Sequence, residues 1–377
     1  MKICIIRNSE GPMNAQLIRI GTALNKTDNE IFFVTRVRDI DVENQVIKKK
    51  INIDGKDFTN YEIQLPAVIG GGIKNIIPLL KYQRELYYWL KNNQDKFDVI
   101  HAIDYDVGSI ALKIAQKFNK KLVYHIADFY SDSRLNIPVH LKSYLRKKEY
   151  NIINKAEATI ICSEDRKEQI AGSHPKKLVI IHNTPPIKQI KTEIVKDSNS
   201  RKLEIAYVGG LEKKRFIDQL IPVIKRQPMF NLTLAGSVGD ARESVSEASS
   251  ISNITYLGKI PYNKALEIYK KVDIMFAIYD PFHPNHKYSA ANKVYEAMLL
   301  GKPIIVAKNT GMDKIVEMEN MGYVIDFNSD ALEQILLHIN DNQKELYEKG
   351  KNAFNAYSKY SWEVMEERII KLYQNLD

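Results

Sequence analysis

Short apolar runs alternate along the chain with longer segments whose apolar residues recur at helical spacing. Lys2–Ile6 and Lys121–Ile126 have the length of a buried strand, whereas Val107–Phe118 has the period of an amphipathic helix. In the first half, the other predicted strands are Ile31–Thr35, Asp98–His101, Thr159–Cys162 and Val179–His182, and the other predicted helices are Asn14–Asn25, Asn75–Asn93 and Val139–Lys155. Lys50–Leu65 is irregular and predicts a hairpin or a long loop. This alternation predicts a parallel sheet covered on both faces.

The alternation stops at Pro185–Arg201, a polar stretch that opens with two prolines and predicts a linker. It then restarts, which predicts a second parallel sheet. The predicted strands there are Leu203–Val208, Asn231–Gly236, Ile254–Leu257, Ile274–Ile278, Pro303–Val306 and Tyr323–Ile325, and the predicted helices are Phe216–Lys225, Arg242–Ser249, Tyr262–Val272, Asn292–Leu300 and Gly311–Glu319. One amphipathic helix is predicted over Tyr360–Leu376.

A chain of 377 residues is longer than one hydrophobic core usually serves. The two series therefore predict an α/β protein of two doubly wound domains, residues 1–185 and residues 186–359, with the helix at 360–377 packed back on the first domain. Ligands of such sheets bind beyond the carboxyl ends of the strands. We expect the two domains to face each other across a cleft that holds the ligand.

The net charge of +9 indicates an anionic partner, such as a phosphorylated small molecule or an anionic lipid, or else a generally basic, solvated surface. Because no nucleic-acid-binding motif is present, we expect no nucleic-acid partner. The segment Met1–Pro12 lacks the features of a signal peptide, and no stretch has the roughly 18 apolar residues that span a bilayer, which predicts a cytoplasmic location. Cys4 and Cys162 lie in apolar runs and predict free core thiols, and no Cys or His spacing indicates zinc.

The segment Tyr207–Arg215 combines the features of a diphosphate site. A predicted strand ends at Val208, Gly209 and Gly210 permit close backbone approach, and three cations including Lys214 precede a helix. Unpaired backbone N–H groups at a helix start and nearby positive charge together favour an anion. The alternative is an ordinary turn with solvated lysines. The segment lacks the Gly-Lys-Ser/Thr of a P-loop.

A second motif begins at Asn292, where a helix is followed by a glycine turn and a buried strand. Lys293 and Glu296 are three residues apart and share one helix face. The lysine would meet a phosphate, and the carboxylate would accept hydrogen bonds from ribose hydroxyls, as acidic residues do in dinucleotide sites. The alternative is a local Lys–Glu ion pair.

Two further segments follow predicted strands of the first half. His125 and Asp128 lie where a strand ends, so the histidine would position a sugar or acceptor hydroxyl and the aspartate would orient the histidine. The alternative is a hydrogen-bonded structural histidine. Gly11 follows the first strand, in a loop that either lines the cleft or is merely a turn.

These motifs together resemble the GT-B glycosyltransferases of the family 4 type. Lys293, Glu296, Gly301 and Pro303 resemble the donor-site signature, and Tyr207–Arg215 resembles the diphosphate loop. Gly258, Lys259 and Ile260 resemble the loop that contacts the base. The resemblance implies a retaining, metal-independent enzyme with no cofactor, whose C-terminal domain binds the nucleotide sugar and whose N-terminal domain binds the acceptor.

The chain departs from the family pattern at two places, and the alignment of one further residue is open. Tyr288 stands where members often carry a second glutamate, and Asn285 and Asn292 fit an asparagine-rich variant of that segment. Gly210 and Arg215 occupy positions that are commonly arginine and lysine in the diphosphate loop. The family's catalytic histidine aligns with either His125 or Ala127, and His125 is preferred. Asp104–Asp106 and Asp39–Asp41 match the Asp-x-Asp of metal-dependent glycosyltransferases, but so short a match is weak.

The sequence thus predicts a retaining hexosyltransferase of surface polysaccharide or glycoconjugate biosynthesis that uses a nucleotide sugar and a glycan or lipid-linked acceptor. The predicted donor-binding residues are Gly11, Gly209, Gly210, Lys214, Arg215, Gly258, Lys259, Ile260, Asn285, Tyr288, Asn292, Lys293 and Glu296, and the predicted catalytic residues are His125, Asp128 and Arg215. The basic helix Val139–Lys155 predicts contact with an anionic membrane surface, or else a solvated helix face. The alternative functions are a nucleotide-sugar epimerase and a non-catalytic nucleotide- or sugar-binding protein.

Overall fold

A computed structural model describes residues 1–10, 14–38, 45–53, 55–68, 72–134, 137–187 and 202–376. The chain forms two compact units, one comprising Met1–His182 with Met365–Asp377, and the other Asn183–Val364. The division between them falls three residues before the predicted boundary at 185 and 186. Gly11 and the segment Asp39–Asp41 lie outside the described residues.

The first unit is built on an eight-stranded sheet with the order β3-β4-β2-β1-β5-β6-β7-β8. Its strands are β1 (Lys2–Arg7), β2 (Glu30–Val37), β3 (Gln45–Ile53), β4 (Lys56–Gln64), β5 (Val99–Ile103), β6 (Lys121–Ile126), β7 (Ala158–Ile161) and β8 (Leu178–Ile180). Its helices are α1 (Ala15–Leu24), α2 (Ile76–Asn92), α3 (Tyr105–Phe118), α4 (Tyr130–Ser133), α5 (Val139–Lys155) and α6 (Arg166–Gln169). Strands β5 and β7 are buried along their whole length, as expected of a sheet covered on both faces.

The pair β3–β4 is antiparallel, whereas every other neighbouring pair in this sheet is parallel. The segment Lys50–Leu65, predicted as a hairpin or a long loop, is therefore part of a hairpin, and the hairpin begins earlier than predicted. Strand β3 lies at the edge of the sheet and exposes Lys48, Lys49 and Lys50. Charged side chains on an edge strand oppose pairing with another chain.

The second unit is built on a six-stranded parallel sheet with the order β11-β10-β9-β12-β13-β14. Its strands are β9 (Leu203–Val208), β10 (Phe230–Ala235), β11 (Ile254–Tyr256), β12 (Ile274–Ala277), β13 (Ile304–Ala307) and β14 (Gly322–Ile325). Its helices are α7 (Ile217–Arg226), α8 (Arg242–Ala248), α9 (Tyr262–Lys271), α10 (Asn292–Leu300), α11 (Met312–Met318), α12 (Ser329–Asp341) and α13 (Gln343–Tyr360). The prediction of two doubly wound α/β domains is confirmed.

The single helix predicted over Tyr360–Leu376 is present as α14 (Trp362–Gln374), but α12 and α13 before it were not predicted. The buried face of α13 includes the small residues Gly350, Ala353 and Ala356, so its apolar period is weak in the sequence. A Cβ on Gly350 would lie 2.8 Å from the carbonyl oxygen of Gly301, which shows how closely α13 packs on the turn after α10.

In each sheet, the strand order reverses at one central strand, so that the chain builds the sheet outward on either side of it. Strand β1 lies between β2 and β5, and β9 lies between β10 and β12. Loops that follow two such neighbouring strands diverge over opposite faces of the sheet, which leaves a crevice at its carboxyl edge. Within each unit, this edge is where the predicted site residues are found.

Candidate functional site

In the second unit, the loops after β9, β10 and β11 are joined by backbone hydrogen bonds. The N–H of Gly209 donates to the carbonyl of Ala235 at 2.9 Å, and the N–H of Gly236 donates to that of Gly258 at 2.8 Å. A Cβ on Gly236, whose φ is +134°, would lie 1.7 Å from the carbonyl oxygen of Gly209. Glycine is therefore required there, and it brings the predicted diphosphate loop beside the predicted base-contact loop. In the latter, Gly258 is left-handed with φ of +69°, Lys259 is exposed and Ile260 is half-buried.

Arg215 is the best-positioned cation of the diphosphate loop. Its guanidinium carbon lies 3.5 Å from the centroid of the Tyr279 ring, in the loop after β12. Its Nη1 is buried and has no hydrogen-bond partner among the described residues. A buried donor without a partner is costly, which marks this atom as one that a bound anion would satisfy.

Lys293, at the start of α10, contacts the same loop after β9. Lys293 Nζ lies 4.7 Å from the centroid of the Tyr207 ring, at the end of β9. A Cβ on Gly209 would lie 3.0 Å from this Nζ, so the ammonium group is held directly against the glycine pair. The structure thus brings Gly209, Gly210, Arg215 and Lys293 together at one edge of the sheet. Lys214 shares this loop, with its Nζ 3.3 Å from Glu212 Oε2.

Glu296 is buried one turn further along α10, with only 4 % of its surface exposed. Its Oε1 accepts a hydrogen bond of 3.0 Å from the Tyr262 hydroxyl, at the start of α9. Burial chiefly raises the pKa of Tyr269 far above its usual value, and the charge of Glu296 adds to this effect. The carboxylate therefore contacts the residue that lies two positions after the loop of Gly258, Lys259 and Ile260.

Three predicted donor residues lie on the segment between β12 and α10. Asn285 is buried before a turn of 3₁₀ helix over His286–Tyr288, Tyr288 is half-buried, and Asn292 opens α10. No hydrogen bond or ring contact among the described residues joins Tyr288 or Asn292 to Arg215 or Lys293. These two residues share the carboxyl edge with the cations but are not joined to them.

His283 and His286, which the sequence analysis did not single out, lie in the same segment with their rings stacked at 4.3 Å. The carbonyl oxygen of Asp280 accepts a hydrogen bond of 2.9 Å from His286 Nδ1, which places the proton of the neutral ring on Nδ1. Burial, together with the charge of Arg215, lowers the pKa of His286 to about 3. The pKa of His283 is also lowered, by burial and then by Lys214. Both rings are thus neutral neighbours of the cations.

In the first unit, the corresponding edge is occupied by an internally paired arginine. Arg7 Nη1 donates to Asn14 Oδ1 at 2.6 Å and to Gln16 Oε1 at 2.5 Å, and its Nη2 donates to Asp104 Oδ2 at 3.1 Å. Asp104 Oδ1 accepts from the N–H groups of Ala127 at 2.9 Å and Asp128 at 3.0 Å. Burial raises the pKa of Asp104.

Both carboxylates of the Asp-x-Asp segment Asp104–Asp106 form hydrogen bonds within the protein, since Asp106 Oδ2 accepts one of 2.8 Å from Asn8. Asp106 Oδ1 is buried and has no hydrogen-bond partner among the described residues. Within the described ranges, no three His, Cys, Asp or Glu side chains are grouped so as to hold a metal ion. Cys4 and Cys162 are buried free thiols, as predicted.

His125 is buried at the end of β6, with 4 % of its surface exposed. Its Nδ1 lies 3.2 Å from His101 Nε2, and His101 Nδ1 lies 2.5 Å from the hydroxyl of Tyr373 on α14. The sequence assigned the orienting role to Asp128, which is exposed, whereas the ring partner in the structure is His101.

The tautomer of His101 determines where His125 carries its proton. If the Tyr373 hydroxyl donates to His101 Nδ1, then His101 Nε2–H donates to His125 Nδ1 and the proton of His125 lies on Nε2. In the other tautomer of His101, both hydrogen bonds run in the opposite direction. Burial lowers the pKa of His101 to about 3, and burial and the neighbouring His101 lower that of His125, so both rings are neutral.

Helix α5 combines internal pairing with an exposed surface. Lys142 and Arg146 pair with Asp132, while Lys147 and Lys148 are exposed. Its exposed apolar residues are Val139, Leu141 and Tyr144. No described helix is both long enough and apolar enough to cross a bilayer.

Comparison with known proteins places this arrangement in a family. A family model described as Glycosyltransferase Family 4 matches residues 13–184, and one described as Glycosyl transferases group 1 matches residues 189–356. A Klebsiella pneumoniae protein described as an uncharacterized 41.2 kDa protein in the cps region is 24 % identical over 249 residues. That match covers 62 % of this chain and 66 % of the relative, just under two thirds of its length.

Two solved structures show the same fold along nearly their whole length. Sucrose-phosphate synthase from Thermosynechococcus elongatus has a TM-score of 0.77 and 16 % identity, with 100 % of this chain and 99 % of that chain covered. HepE from Anabaena, in complex with UDP and glucose, has a TM-score of 0.69 and 16 % identity, with 99 % of each chain covered. Two Rossmann-like units with these neighbours define a protein of the GT-B fold. The chain belongs to the group 1, family 4 type of glycosyltransferases, and the family predicted from the sequence is confirmed.

Proposed function

We propose that this protein is a retaining hexosyltransferase that moves a sugar from a nucleoside-diphosphate sugar to a glycan or lipid-linked acceptor. The observation that carries the proposal is the convergence of Arg215, Lys293 and the buried Glu296 at one edge of the second sheet. Preorganised cations stabilise a diphosphate, and a buried carboxylate binds ribose hydroxyls. The UDP and glucose bound by HepE support this class of donor.

The proposed reaction uses the cations where negative charge develops. The bond between the anomeric carbon and the diphosphate oxygen breaks, and the nucleoside diphosphate leaves with the electron pair. The acceptor hydroxyl oxygen attacks the anomeric carbon from the face that the diphosphate leaves, and its proton passes to the departing phosphate oxygen. Arg215, Lys214 and Lys293 stabilise the diphosphate throughout, while Glu296 anchors the ribose.

In this proposal His125 positions a sugar hydroxyl through its Nε2–H. This role requires the tautomer of His101 whose Nε2–H donates to His125 Nδ1, so that the neutral His125 ring presents a donor and not a base. His101 and Tyr373 are then positioning residues, because they act through His125. Asp128 is proposed to contribute a polar group at the same strand end.

We propose further that transfer needs no metal or cofactor, because fixed cations can neutralise the diphosphate and Asp104 and Asp106 are engaged by protein donors. Assays in EDTA, with and without added Mg²⁺ or Mn²⁺, check this. Equal initial rates are expected under all conditions. A rate that is abolished by EDTA and restored by either ion would contradict the proposal.

The acceptor is proposed to belong to surface polysaccharide or glycoconjugate biosynthesis and to be held at the inner face of a membrane. The Klebsiella relative described in a cps region supports the pathway, and the exposed Lys147 and Lys148 beside Val139, Leu141 and Tyr144 support the surface. Charge reversal of Lys147 and Lys148 to Glu should release the protein from vesicles of anionic lipid. The matched control reverses Lys270 and Lys271 on α9, and equal vesicle binding by both variants would remove α5 from the proposal.

The central test is an incubation of the purified protein with sugars of uridine, guanosine and adenosine diphosphate, with and without acceptor extracts. Release of nucleoside diphosphate that depends on the extract, with a labelled glycan product, is the expected result. Release without any acceptor would instead indicate the epimerase, and nucleotide binding without release would indicate a non-catalytic binding protein.

A further inference from the structure

The carboxylate of Glu212 lies among the cations of the diphosphate loop. Glu212 Oε2 is 3.3 Å from Lys214 Nζ and 3.9 Å from Arg215 Nε. Both separations exceed the roughly 2.7–2.9 Å of a charge-assisted hydrogen bond. About a third of the Glu212 side chain (34 %) is exposed. One loosely held oxygen therefore serves as counter-ion for two cations.

This carboxylate also lies on the glycine surface that the donor would use. A Cβ on Gly210 would be 3.6 Å from Glu212 Cδ and Oε2, and a Cβ on Gly239 would be 2.8 Å from Glu212 Cγ. The Glu212 side chain thus packs against both glycines, and at Gly239 a Cβ would collide with it. The absence of side chains at Gly210 and Gly239 opens a space beside Lys214 and Arg215, and the Glu212 carboxylate lies in it.

Glu212 satisfies the cations only in part. The buried Nη1 of Arg215 has no hydrogen-bond partner among the described residues, although the Glu212 carboxylate lies close to Nε of the same guanidinium. A diphosphate offers more charge and more acceptor oxygens than one carboxylate, so it would bind these cations better. Two anions in one small space repel each other, so the carboxylate and the diphosphate compete.

We propose that Glu212 is an internal counter-ion of the empty donor site, which the diphosphate of the donor displaces and which returns as the nucleoside diphosphate leaves. The proposal rests on the function proposed above, because it assumes that this loop binds a diphosphate. Its consequence is that Glu212 weakens binding of the product nucleotide. Release of product limits the turnover of many enzymes, so a competing internal anion would favour turnover.

The test compares Glu212→Gln with the unchanged protein in titrations with UDP, GDP and ADP by calorimetry. Glutamine keeps the shape of the side chain and removes its charge, so the dissociation constant of the bound nucleotide should fall by about fivefold to tenfold. The gain should shrink as salt is added, since the competition is electrostatic. In steady-state assays, product inhibition by the same nucleotide should strengthen in parallel.

The matched control is Glu247→Gln, which changes the net charge equally at an exposed carboxylate paired with Lys225 at 2.9 Å on α7 and α8. Its nucleotide affinity should match that of the unchanged protein. Glu212→Ala, which removes both the charge and the packing on Gly239, should also bind more tightly. Equal or weaker nucleotide binding by both Glu212 variants would overturn the proposal.

The outcomes separate this inference from the proposed function. If the unchanged protein binds a nucleoside diphosphate and the Glu212 variants do not bind it more tightly, only the role of Glu212 is wrong. If neither the unchanged protein nor either Glu212 variant binds any of the three nucleotides, the donor site itself is wrong and the role of Glu212 falls with it.

Discussion

The two units use arginine in opposite ways at corresponding edges of their sheets. Arg7, the last residue of β1, donates hydrogen bonds to Asn14, Gln16 and Asp104. Arg215, after β9, is held by the face of the Tyr279 ring and keeps a buried Nη1 that has no partner among the described residues. An aromatic ring attracts a cation without accepting its N–H groups, whereas carboxylate and amide oxygens use them. The same residue type is thus structural in one unit and available to a ligand in the other.

The largest expected effect is that of Arg215→Ala on transfer. Loss of a preorganised cation at the departing diphosphate should lower kcat by about 10²–10³-fold. Circular dichroism and thermal melting should show a folded protein. Arg226→Ala, at an exposed arginine paired with Glu333, is the control and should keep full activity. An active Arg215→Ala enzyme would contradict the assignment.

The corresponding change in the first unit should affect stability instead. Arg7→Met removes the cation beside the half-buried carboxylate of Asp104, which should destabilise the first unit by roughly 1–2 kcal/mol. Urea denaturation followed by hydrogen exchange would locate the loss. UDP binding to the second unit should be unchanged, and a loss of UDP binding with normal stability would show that Arg7 belongs to a ligand site.

The buried histidines of both units predict loss of stability in acid. The pKa values of His101 and His286 are lowered to about 3 in the folded protein, so the unfolded chain binds more protons below pH 6.5. Their contribution is complete above pH 6.5 and is lost as the pH falls toward 3, by about 1.4 kcal/mol per pH unit for each ring.

Denaturation between pH 6.5 and 5 measures this slope. His101→Gln should reduce the slope of unfolding free energy against pH by the contribution of one histidine ring. The control His140→Gln, at an exposed histidine, should leave that slope unchanged. The same slope in His101→Gln and in the unchanged protein would show that His101 is protonated in the folded state.

The smallest expected effect tests the aromatic support of Arg215. Tyr279→Leu removes the ring and should weaken UDP binding about fivefold, the equivalent of a cation–π contact of about 1 kcal/mol. Tyr279→Phe keeps the ring and should bind UDP as tightly as the unchanged protein. Equal weakening by both variants would mean that the hydroxyl, and not the ring face, supports the site.

Apolar periodicity alone located most elements of this protein. The bounds of β6, α5, β9 and α10 agree with the predicted ones residue for residue, because each combines a clear period with a proline, glycine or polar boundary. Helices α12 and α13 were not predicted. The buried face of α13 is partly made of glycine and alanine, whose small apolar surface hardly marks the period.

The donor-site motifs were visible because their chemistry is local. Glycines, cations and the Lys293–Glu296 spacing lie in two short segments, and the family matches confirm the class of protein they indicate. The local sequence cannot show which partners hold these side chains. In the sequence, Tyr207, Tyr262 and Tyr279 resemble core aromatics. They contact the charged side chains of the site only because the fold brings distant segments together.

By itself, the sequence determined the two βα series, the family and the candidate residues for a diphosphate site, since these depend on periodicity and on residue type. Only the tertiary structure decided that Arg7 is paired with Asp104, that Arg215 lies on the ring of Tyr279 with its Nη1 unpartnered among the described residues, and that His125 contacts His101. The physical reason is that a hydrogen bond or cation–π contact depends on distances between groups far apart in the chain. Those distances exist only once the sheets have formed.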